Sequence, residues 1–220
     1  MIFKEIFRPS GGLYYHLRAW RHRRLWRPFQ EKIHAWLETW PCATDELLLF
    51  GPSGGYNLPT PWLKKFRKIE AFDLDPLAEW MFRRNHPDLD VHFHRVNLFW
   101  RDNRLSVSPL IEVLDRHPRA SLLFCNVLGQ VLLEGLAGEE EWLAFLRHLR
   151  QVLNGREWAS FHDTVTTEGN EAIDHLLDGA WLDGLTQTSF EWQLTPTSRH
   201  QVTGVWESPA TRRPQPEPPV

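Results

Sequence analysis

The chain has 220 residues, of which 42% are hydrophobic and 24% are charged, an ordinary composition for a globular protein with one sizeable core. Lys and Arg number 25 and Asp and Glu number 28, so the net charge of −3 argues against a surface built throughout to bind nucleic acid. The sequence contains no run of about 18 apolar residues to span a bilayer and begins without the pattern of a secretory signal. Its two cysteines are too few for a disulfide framework. These features predict a cytoplasmic protein with no membrane partner.

The first segment, from Tyr14 to Trp40, is aromatic and basic. Its apolar residues recur at near-helical spacing until Pro28, which predicts two helices separated near this proline. Arginines interleaved with aromatic rings are typical of single-strand nucleic-acid binders, and such residues also line acceptor pockets. A third interpretation is an amphipathic helix whose rings pack on a sheet while its arginines face water.

From Glu46 onward, short apolar runs alternate with helical patterns. Continuous apolar runs, each bounded by turns and followed by a helix, are typical of a parallel sheet that is covered on both faces. The predicted strands are 46–51, 68–73, 91–96, 120–126 and 157–163, and the predicted helices are 61–68, 76–85, 109–116, 139–153 and about 168–177. Two further strand-like runs, 189–194 and 200–207, are separated by a short polar turn and predict an antiparallel hairpin at the sheet edge.

The predicted fold class is therefore α/β, with a doubly wound, mostly parallel seven-stranded sheet, a C-terminal antiparallel hairpin and an N-terminal helical extension. Residues 1–44 form the extension and residues 45–208 the sheet domain. Residues 209–220 are dense in proline, offer little to bury, and are predicted to be a disordered tail.

A glycine-rich stretch, GPSGGY at residues 51–56, directly follows the first predicted strand. Glycines at a strand-to-helix junction let the backbone turn sharply and approach a ligand that a Cβ would block. The dinucleotide fingerprint G-x-G-x-x-G would need glycines at the positions of Ser53 and Tyr56, so the pattern argues against NAD. A tight connection without a ligand is the alternative interpretation.

Two acidic residues, Asp73 and Asp75, follow the second predicted strand. A carboxylate at this place in nucleoside-binding α/β folds accepts hydrogen bonds from the ribose diol, and Asp73 is the candidate for that role. Asp75 precedes a proline, which is typical of a helix N-cap.

In this order and spacing, the residues resemble the class I methyltransferases that use S-adenosylmethionine. The resemblance covers about residues 46–207. LLLFGPSGGYNL is similar to the glycine motif of that family, AFDLDPLA to its ribose-binding strand end, and the terminal hairpin to its final antiparallel strands. The resemblance implies a Rossmann-like methyltransferase domain, S-adenosylmethionine as the cofactor, and a lid formed by the N-terminal helices.

The resemblance also implies which residues bind the cofactor. Asn97 stands where the family usually has an acid that contacts the adenine amino group, and its amide oxygen can accept the same bond. Asn126 follows the fourth strand, beside the methionine part and the transferable methyl. The chain departs from the family pattern at Leu49, where an acid is common, and at Ser53, which replaces the middle glycine. The cofactor-binding residues implied are Gly51, Ser53, Gly55, Asp73, Asn97 and Asn126.

His162 and Asp163 follow the fifth predicted strand, at the carboxyl edge where open α/β sheets build their sites. A histidine can deprotonate a hydroxyl or amine acceptor near neutral pH, so His162 and Asp163 are the predicted catalytic residues. The alternative is a structural strand-end pair. His92 and His94 share one strand face, but no further Cys or His cluster completes a zinc set, and no metal is predicted.

The acceptor is predicted to be a small molecule. Amino-group nucleic-acid methyltransferases carry Asn or Asp followed by two prolines and an aromatic residue, whereas Asn126 is followed by Val127 and Leu128. Two rival functions fit the same residues. One is a non-catalytic protein of this fold that binds the cofactor or a partner, and the other is a nucleic-acid-binding protein that uses the basic N-terminal segment.

Overall fold

One mixed β-sheet forms the centre of the protein. The computed structural model describes residues 12–102, 104–130, 138–169, 171–175, 181–182 and 185–208. The predicted disordered tail, residues 209–220, lies outside these ranges. The strands are β1 (Glu46–Phe50), β2 (Lys68–Phe72), β3 (Val91–His94), β4 (Trp100–Arg101), β5 (Arg104–Leu105), β6 (Ser121–Cys125), β7 (Trp158–Glu168), β8 (Glu171–Asp174), β9 (Gln187–Gln193) and β10 (Ser198–Glu207).

The strand order in the main sheet is β3-β2-β1-β6-β7-β10-β9, with β8 paired to the C-terminal half of β7. Strands β3, β2, β1, β6 and β7 are parallel, whereas β10 is antiparallel to both β7 and β9. The predicted α/β class, the mostly parallel sheet and the C-terminal antiparallel hairpin are thus confirmed. Within this hairpin, β9 forms the edge of the sheet and β10 lies between β9 and β7.

Helices cover both faces of this sheet. One hydrophobic core lies between the sheet and the first four helices, and a second lies between the sheet and the last two. We call these two sides the α1–α4 face and the α5–α6 face. The helices are α1 (Gly12–Arg21), α2 (Arg23–Thr39), α3 (Thr60–Leu63), α4 (Ala78–Asn85), α5 (Ser108–Arg116) and α6 (Glu139–Val152).

The N-terminal helices meet at His22, and the predicted separation at Pro28 is wrong. Pro28 lies inside α2 and removes one helical hydrogen bond, at a cost of about 3 kcal/mol. The same helix buries Trp26, Phe29 and Ile33 at helical spacing, and each large apolar side chain contributes roughly 1.5 to 3 kcal/mol on burial. Packing therefore outweighs the defect.

The helix predicted at about residues 168–177 is also wrong over the part that the structure describes. Strand β7 continues to Glu168, and Glu171–Asp174 forms β8, which pairs antiparallel with β7.

Among the described residues, none of the helices combines the length and the apolar composition that a membrane span requires.

Candidate active site

The glycine-rich turn begins directly after β1. Gly51, Ser53 and Gly55 have φ angles of +65°, +48° and +69°, a region that glycine adopts freely and that costs another residue roughly 1 to 2 kcal/mol. A Cβ added to Gly51 would lie 2.9 Å from Cβ of Val127, and one added to Gly55 would lie 2.5 Å from Nε2 of His86. Backbone geometry and close packing thus both require glycine at these two positions.

The carboxylate of Asp73 lies beside this turn. It accepts hydrogen bonds from the backbone N–H of Ser53 at 2.7 Å and from that of Asp75 at 2.9 Å. Burial raises the pKa of Asp73 to about 6, although both N–H groups act to lower it. Asp73, which is predicted to bind ribose, is therefore in direct contact with Ser53 of the glycine-rich turn.

Asp75 connects the N-terminal helices to the same edge of the sheet. One carboxylate oxygen accepts from the backbone N–H of Gly12 at 2.9 Å and lies 2.8 Å from Nε2 of His16. The other accepts from the N–H of Leu77 at 2.9 Å. Since α4 begins at Ala78, Asp75 precedes the N-cap position predicted for it, but it still binds a free N–H at the start of the helix.

Tyr56, at the end of the turn, is held by both N-terminal helices. Its hydroxyl lies 2.8 Å from Nδ1 of His16 in α1, and its carbonyl accepts from the side-chain amide of Gln30 in α2 at 2.8 Å. Burial raises the pKa of the Tyr56 phenol, and the nearby Asp75 charge adds to this rise. These contacts attach α1 and α2 to the glycine-rich turn, where a lid was predicted.

A reciprocal pair of hydrogen bonds joins Asn126, directly after β6, to Asp163 in the middle of the longer neighbouring strand β7. The Asn126 amide donates to Oδ2 of Asp163 at 2.9 Å, and its carbonyl oxygen accepts from the Asp163 backbone N–H at 2.7 Å. Asn126 has a φ of +56°, a conformation that asparagine tolerates better than most residues. Asp163 is 2% exposed, and its Oδ1 has no hydrogen-bond partner among the described residues.

His200, which the sequence did not single out, is in contact with Asp163. Its Nδ1 lies 2.9 Å from Oδ2 of Asp163 and 3.4 Å from the hydroxyl of Thr166. The contact depends on the antiparallel pairing of β10 with β7 and on a register shift between Gln201 and Val202. The sequence around His200 carries no local signal of this pairing.

His162 faces the other side of the sheet. It lies within β7, not beyond the strand as predicted, and it alternates with Ser160 and Trp158, which packs in the core of the α5–α6 face. His162 is 0% exposed and its Nδ1 lies 2.8 Å from the Ser160 hydroxyl. Burial lowers the pKa of His162 to about 3, so the ring is neutral at physiological pH. The catalytic role of His162 stays a prediction.

Asn97 lies in the connection after β3. Its side-chain oxygen accepts from the backbone N–H of Phe99 at 3.1 Å, and it lines an open cleft of about 630 Å³ together with Phe72, His94 and Arg95. No hydrogen bond or ion pair given by the described residues joins Asn97 to Asp73 or to the glycine-rich turn. Its adenine contact stays a prediction.

A row of aromatic rings extends from the glycine-rich turn to His200. Ring centroids are 6.0 Å apart between Tyr56 and Tyr15, 5.5 Å between Tyr15 and Trp26, 4.9 Å between Trp26 and Trp192, and 5.7 Å between Trp192 and His200. We call Tyr15, Trp26, Tyr56 and Trp192 the aromatic row. Burial raises the pKa of the Tyr15 phenol, and electrostatic interaction with Tyr56 and Asp163 adds to the rise.

The two histidines on β3 do not share a common ligand set. His94 binds Glu70 at 2.6 Å, whereas His92 is exposed. Side-chain ligand atoms of Glu46, Glu70 and His117 lie within 4.8 Å of one another. The ammonium of Lys68 lies 2.7 Å from Glu46 and 2.8 Å from Glu70, so a cation of the protein itself already pairs with both carboxylates.

Comparison with known proteins supports an assignment of the fold. No protein-family model and no curated protein matches the chain. The N-methyltransferase NodS from Bradyrhizobium japonicum WM9, in complex with S-adenosyl-L-homocysteine, is similar in structure with a TM-score of 0.52 at 9% identity, over 94% of this chain and 97% of NodS. A second NodS structure matches with a TM-score of 0.50 at 9% identity, over 83% and 96%. The chain has the fold of the class I S-adenosylmethionine-dependent methyltransferases.

Magnesium protoporphyrin IX methyltransferase from Synechocystis PCC 6803 with bound SAM is also similar, with a TM-score of 0.46 at 12% identity, over 93% of this chain and 89% of that one.

The strand order of the main sheet reverses between β1 and β6. Open α/β sheets bind ligands in the crevice at such a point. The glycine-rich turn, Asp73 and Asn126 follow the carboxyl ends of β1, β2 and β6, respectively.

Proposed function

We propose that the protein binds S-adenosylmethionine at the carboxyl edge of the sheet and transfers its methyl group to a small-molecule acceptor. The observation that carries the proposal is the Asp73 carboxylate, held against the glycine-rich turn by the N–H groups of Ser53 and Asp75. The methyltransferase fold supports it, as does the complex of the similar protein NodS with S-adenosyl-L-homocysteine.

The residues at this edge fit the chemical groups of the cofactor. A ribose diol offers two donors, which suit the ionised Asp73 carboxylate. The methionine part would lie against Gly51, Ser53 and Gly55, where the buried Ser53 hydroxyl has no hydrogen-bond partner within the described part of the chain. Asn97 is proposed to accept from the adenine amino group.

The methionine ammonium needs an acceptor that this chain does not have at Leu49. Asp163 offers a buried carboxylate oxygen that no described residue binds, and the Asn126 amide binds its other oxygen. Because a buried carboxylate oxygen without a hydrogen-bond partner is unfavourable, a bound ammonium would stabilise it. We therefore propose Asn126 and Asp163 as the residues beside the methionine part.

The cofactor supplies a methyl group on a sulfonium, which is already a good electrophile. The protein's task is then to orient the acceptor, to exclude water and to accept a proton where the acceptor carries one. Helices α1 and α2 are suited to exclude water because His16 and Gln30 attach them to Tyr56 of the turn.

A small acceptor fits this edge better than nucleic acid. Asp73, Asp75 and Asp163 bring three carboxylates to it, and these would repel phosphate groups. The exposed arginines of α1 and α2 still allow a test of the nucleic-acid alternative. Affinity for RNA or DNA that is strong at low salt and falls steeply with added salt would favour that alternative.

The first experiment is a calorimetric titration with S-adenosylmethionine and S-adenosylhomocysteine, with NAD as the control ligand. We expect micromolar binding of the first two. Asp73→Ala should weaken it by about tenfold or more, since a hydrogen bond to a charged group contributes about 1.5 to 3 kcal/mol. Asp90→Ala, at an exposed position, is the matched control. A folded protein that binds neither methyl-donor ligand would contradict the proposal.

Turnover separates the enzyme from the non-catalytic rival. Purified protein is incubated with S-adenosylmethionine and fractionated metabolites, and release of S-adenosylhomocysteine is followed. Release that depends on one fraction and is lost in Asp73→Ala supports methyl transfer. Tight binding with no release across all fractions supports the rival.

A further inference from the structure

The pair formed by His200 and Asp163 has the geometry of an acid–base pair. Nδ1 of His200 lies 2.9 Å from Oδ2 of Asp163, and the two residues are 8% and 2% exposed. Strands β10 and β7 hold them on the α1–α4 face, next to Asn126. This is the carboxyl edge at which the cofactor is proposed to bind.

The partners of His200 determine which ring nitrogen can accept a proton. An ionised carboxylate can only accept hydrogen bonds, so Nδ1, which faces Asp163, carries the ring hydrogen. Nε2 then has a free lone pair, and its nearest polar partner is the Ser198 hydroxyl at 3.4 Å, a weak contact. Two further titratable groups lie close to this network. The Tyr15 phenol interacts electrostatically with Asp163, and Nε2 of His175 lies 2.9 Å from the Thr166 hydroxyl.

Asn126 holds the carboxylate in place. It binds both Oδ2 and the backbone N–H of Asp163, at 2.9 Å and 2.7 Å. The imidazole, its orienting carboxylate and the group that fixes this carboxylate are therefore connected in series, as in the catalytic sites where a histidine acts as base.

The surroundings of His200 indicate the kind of acceptor. The aromatic row ends at Trp192, whose ring centroid is 5.7 Å from that of His200. Trp192 is 1% exposed and its indole N–H has no partner among the described residues. Aromatic walls with few polar groups are typical of pockets for flat, apolar ligands.

The presence of a base indicates the reacting atom. A neutral amine already has a nucleophilic lone pair, whereas a phenol has a pKa of about 10 and needs to lose its proton to attack well at neutral pH. We propose that His200, oriented by Asp163, is the general base that deprotonates the hydroxyl of an aromatic acceptor. This inference rests on the proposed function.

In the step proposed, the hydroxyl proton passes to Nε2 of His200 as the oxygen–methyl bond forms. The sulfur–methyl bond breaks and its electron pair stays on sulfur, so the products are an aryl methyl ether, S-adenosylhomocysteine and an imidazolium. The imidazolium then loses its proton to solvent. The Asp163 carboxylate stabilises the imidazolium while it exists.

The test uses para-nitrophenol, whose ionised form is yellow, at a pH where the free phenol is mostly protonated. Wild-type protein with S-adenosylhomocysteine should bind it and ionise it. We expect His200→Gln and Asp163→Asn each to reduce the ionised fraction of bound probe about tenfold. Para-nitroanisole has nearly the same shape without the proton, and its affinity should be the same in wild type and His200→Gln. His92→Gln, on exposed β3 surface, should behave as wild type.

The outcomes separate the two proposals. Probe ionisation without any binding of S-adenosylhomocysteine would overturn the proposed function and leave the base. Binding of S-adenosylhomocysteine with equal ionisation in wild type and His200→Gln would overturn the base, and wild-type protein that binds neither probe would overturn the aromatic acceptor. If His200→Gln does not fold, Asp163→Asn decides, because its amide can donate to Nδ1 and force the hydrogen onto Nε2.

Discussion

His162 and His200 lie on neighbouring strands, yet the sheet separates their surroundings. His162 faces the α5–α6 core, is 0% exposed, and has the Ser160 hydroxyl as its neutral partner. His200 faces the α1–α4 side and has the Asp163 carboxylate as its partner. The face of the strand on which a histidine lies, rather than its position along the chain, therefore decides whether it is a packed core residue or part of a charged pair.

The difference between the two faces follows from strand geometry. Adjacent residues of a strand point to opposite faces, so His162 and Asp163 cannot form the pair that their order in the sequence suggests. The register shift between Gln201 and Val202 instead brings a histidine of the next strand to Asp163. The two polar pairs, one charged and one neutral, should respond differently to mutation.

The largest effect is expected at Asn126. Asn126→Ala removes two hydrogen bonds to the buried Asp163 and leaves alanine in the left-handed region, which together cost about 3 kcal/mol. Ser160→Ala, on the opposite face, removes one neutral hydrogen bond and should cost about 1 kcal/mol. Urea unfolding of both variants measures the difference.

Asn126→Gly is the control for backbone strain, because glycine adopts the left-handed region freely. It should be more stable than Asn126→Ala by about 1 kcal/mol while still losing the side-chain bonds. If Asn126→Ala and Ser160→Ala were equally stable, the hydrogen bonds of Asn126 to Asp163 on the α1–α4 face would contribute no more than the neutral bond on the opposite face.

The second effect is acid sensitivity caused by His162. Its pKa is about 3 in the folded protein and 6.5 in the reference state, so the unfolded chain binds the proton more tightly between these values. Stability contributed by the neutral ring is present above pH 6.5 and is lost as the pH falls, at up to about 1.4 kcal/mol per pH unit. Thermodynamic stability measured between pH 6.5 and 5 should fall less in His162→Gln than in wild type.

The matched control for this prediction is His148→Gln, at an exposed position of α6. This variant removes an exposed histidine and leaves buried His162 in place, so it should keep the wild-type slope. If stability falls with pH as steeply in His162→Gln as in wild type, then His162 takes up a proton in the folded protein as readily as in the unfolded chain.

The third effect concerns Asp73 on the α1–α4 face. In the proposed complex a ribose diol donates to the ionised carboxylate, so binding should favour the deprotonated form and affinity should be highest above the pKa of about 6. As the pH falls below 6, affinity for S-adenosylhomocysteine should decrease by up to about tenfold per pH unit. Calorimetry at several pH values tests this, and Asp73→Asn should be weaker but independent of pH. A decrease of the same slope in Asp73→Asn would assign the effect to another group.

Much of the fold could be predicted because the sheet buries its central strands on both sides. The runs that form β1 and β6 consist almost wholly of buried apolar residues, which is a local pattern. The segment that forms β8 could not be predicted in this way. Its sequence Glu-Ala-Ile-Asp favours a helix by composition, and only pairing with β7 makes it a strand.

The same distinction applies to the site. The glycine-rich turn and Asp73 each follow a strand directly, so the order of elements alone brings them to one edge. His200 joins Asp163 across 37 residues through an antiparallel pairing with a register shift. No local pattern encodes such a shift, and so the residue could be found only in the folded structure.

The smallest effect is expected at His16, which connects helix α1 on the α1–α4 face to the glycine-rich turn. Its ring lies 2.8 Å from the Tyr56 hydroxyl and 2.8 Å from Asp75, and loss of such contacts costs about 1 kcal/mol. His16→Ala should therefore raise amide hydrogen exchange in Gly12–Arg21 about five- to tenfold, with α5 and α6 unchanged. His148→Ala, exposed on α6, should leave exchange in α1 at the wild-type rate. Faster exchange on both faces would mean that His16 supports the whole fold, whereas an effect confined to α1 identifies this helix as a cover that opens by itself.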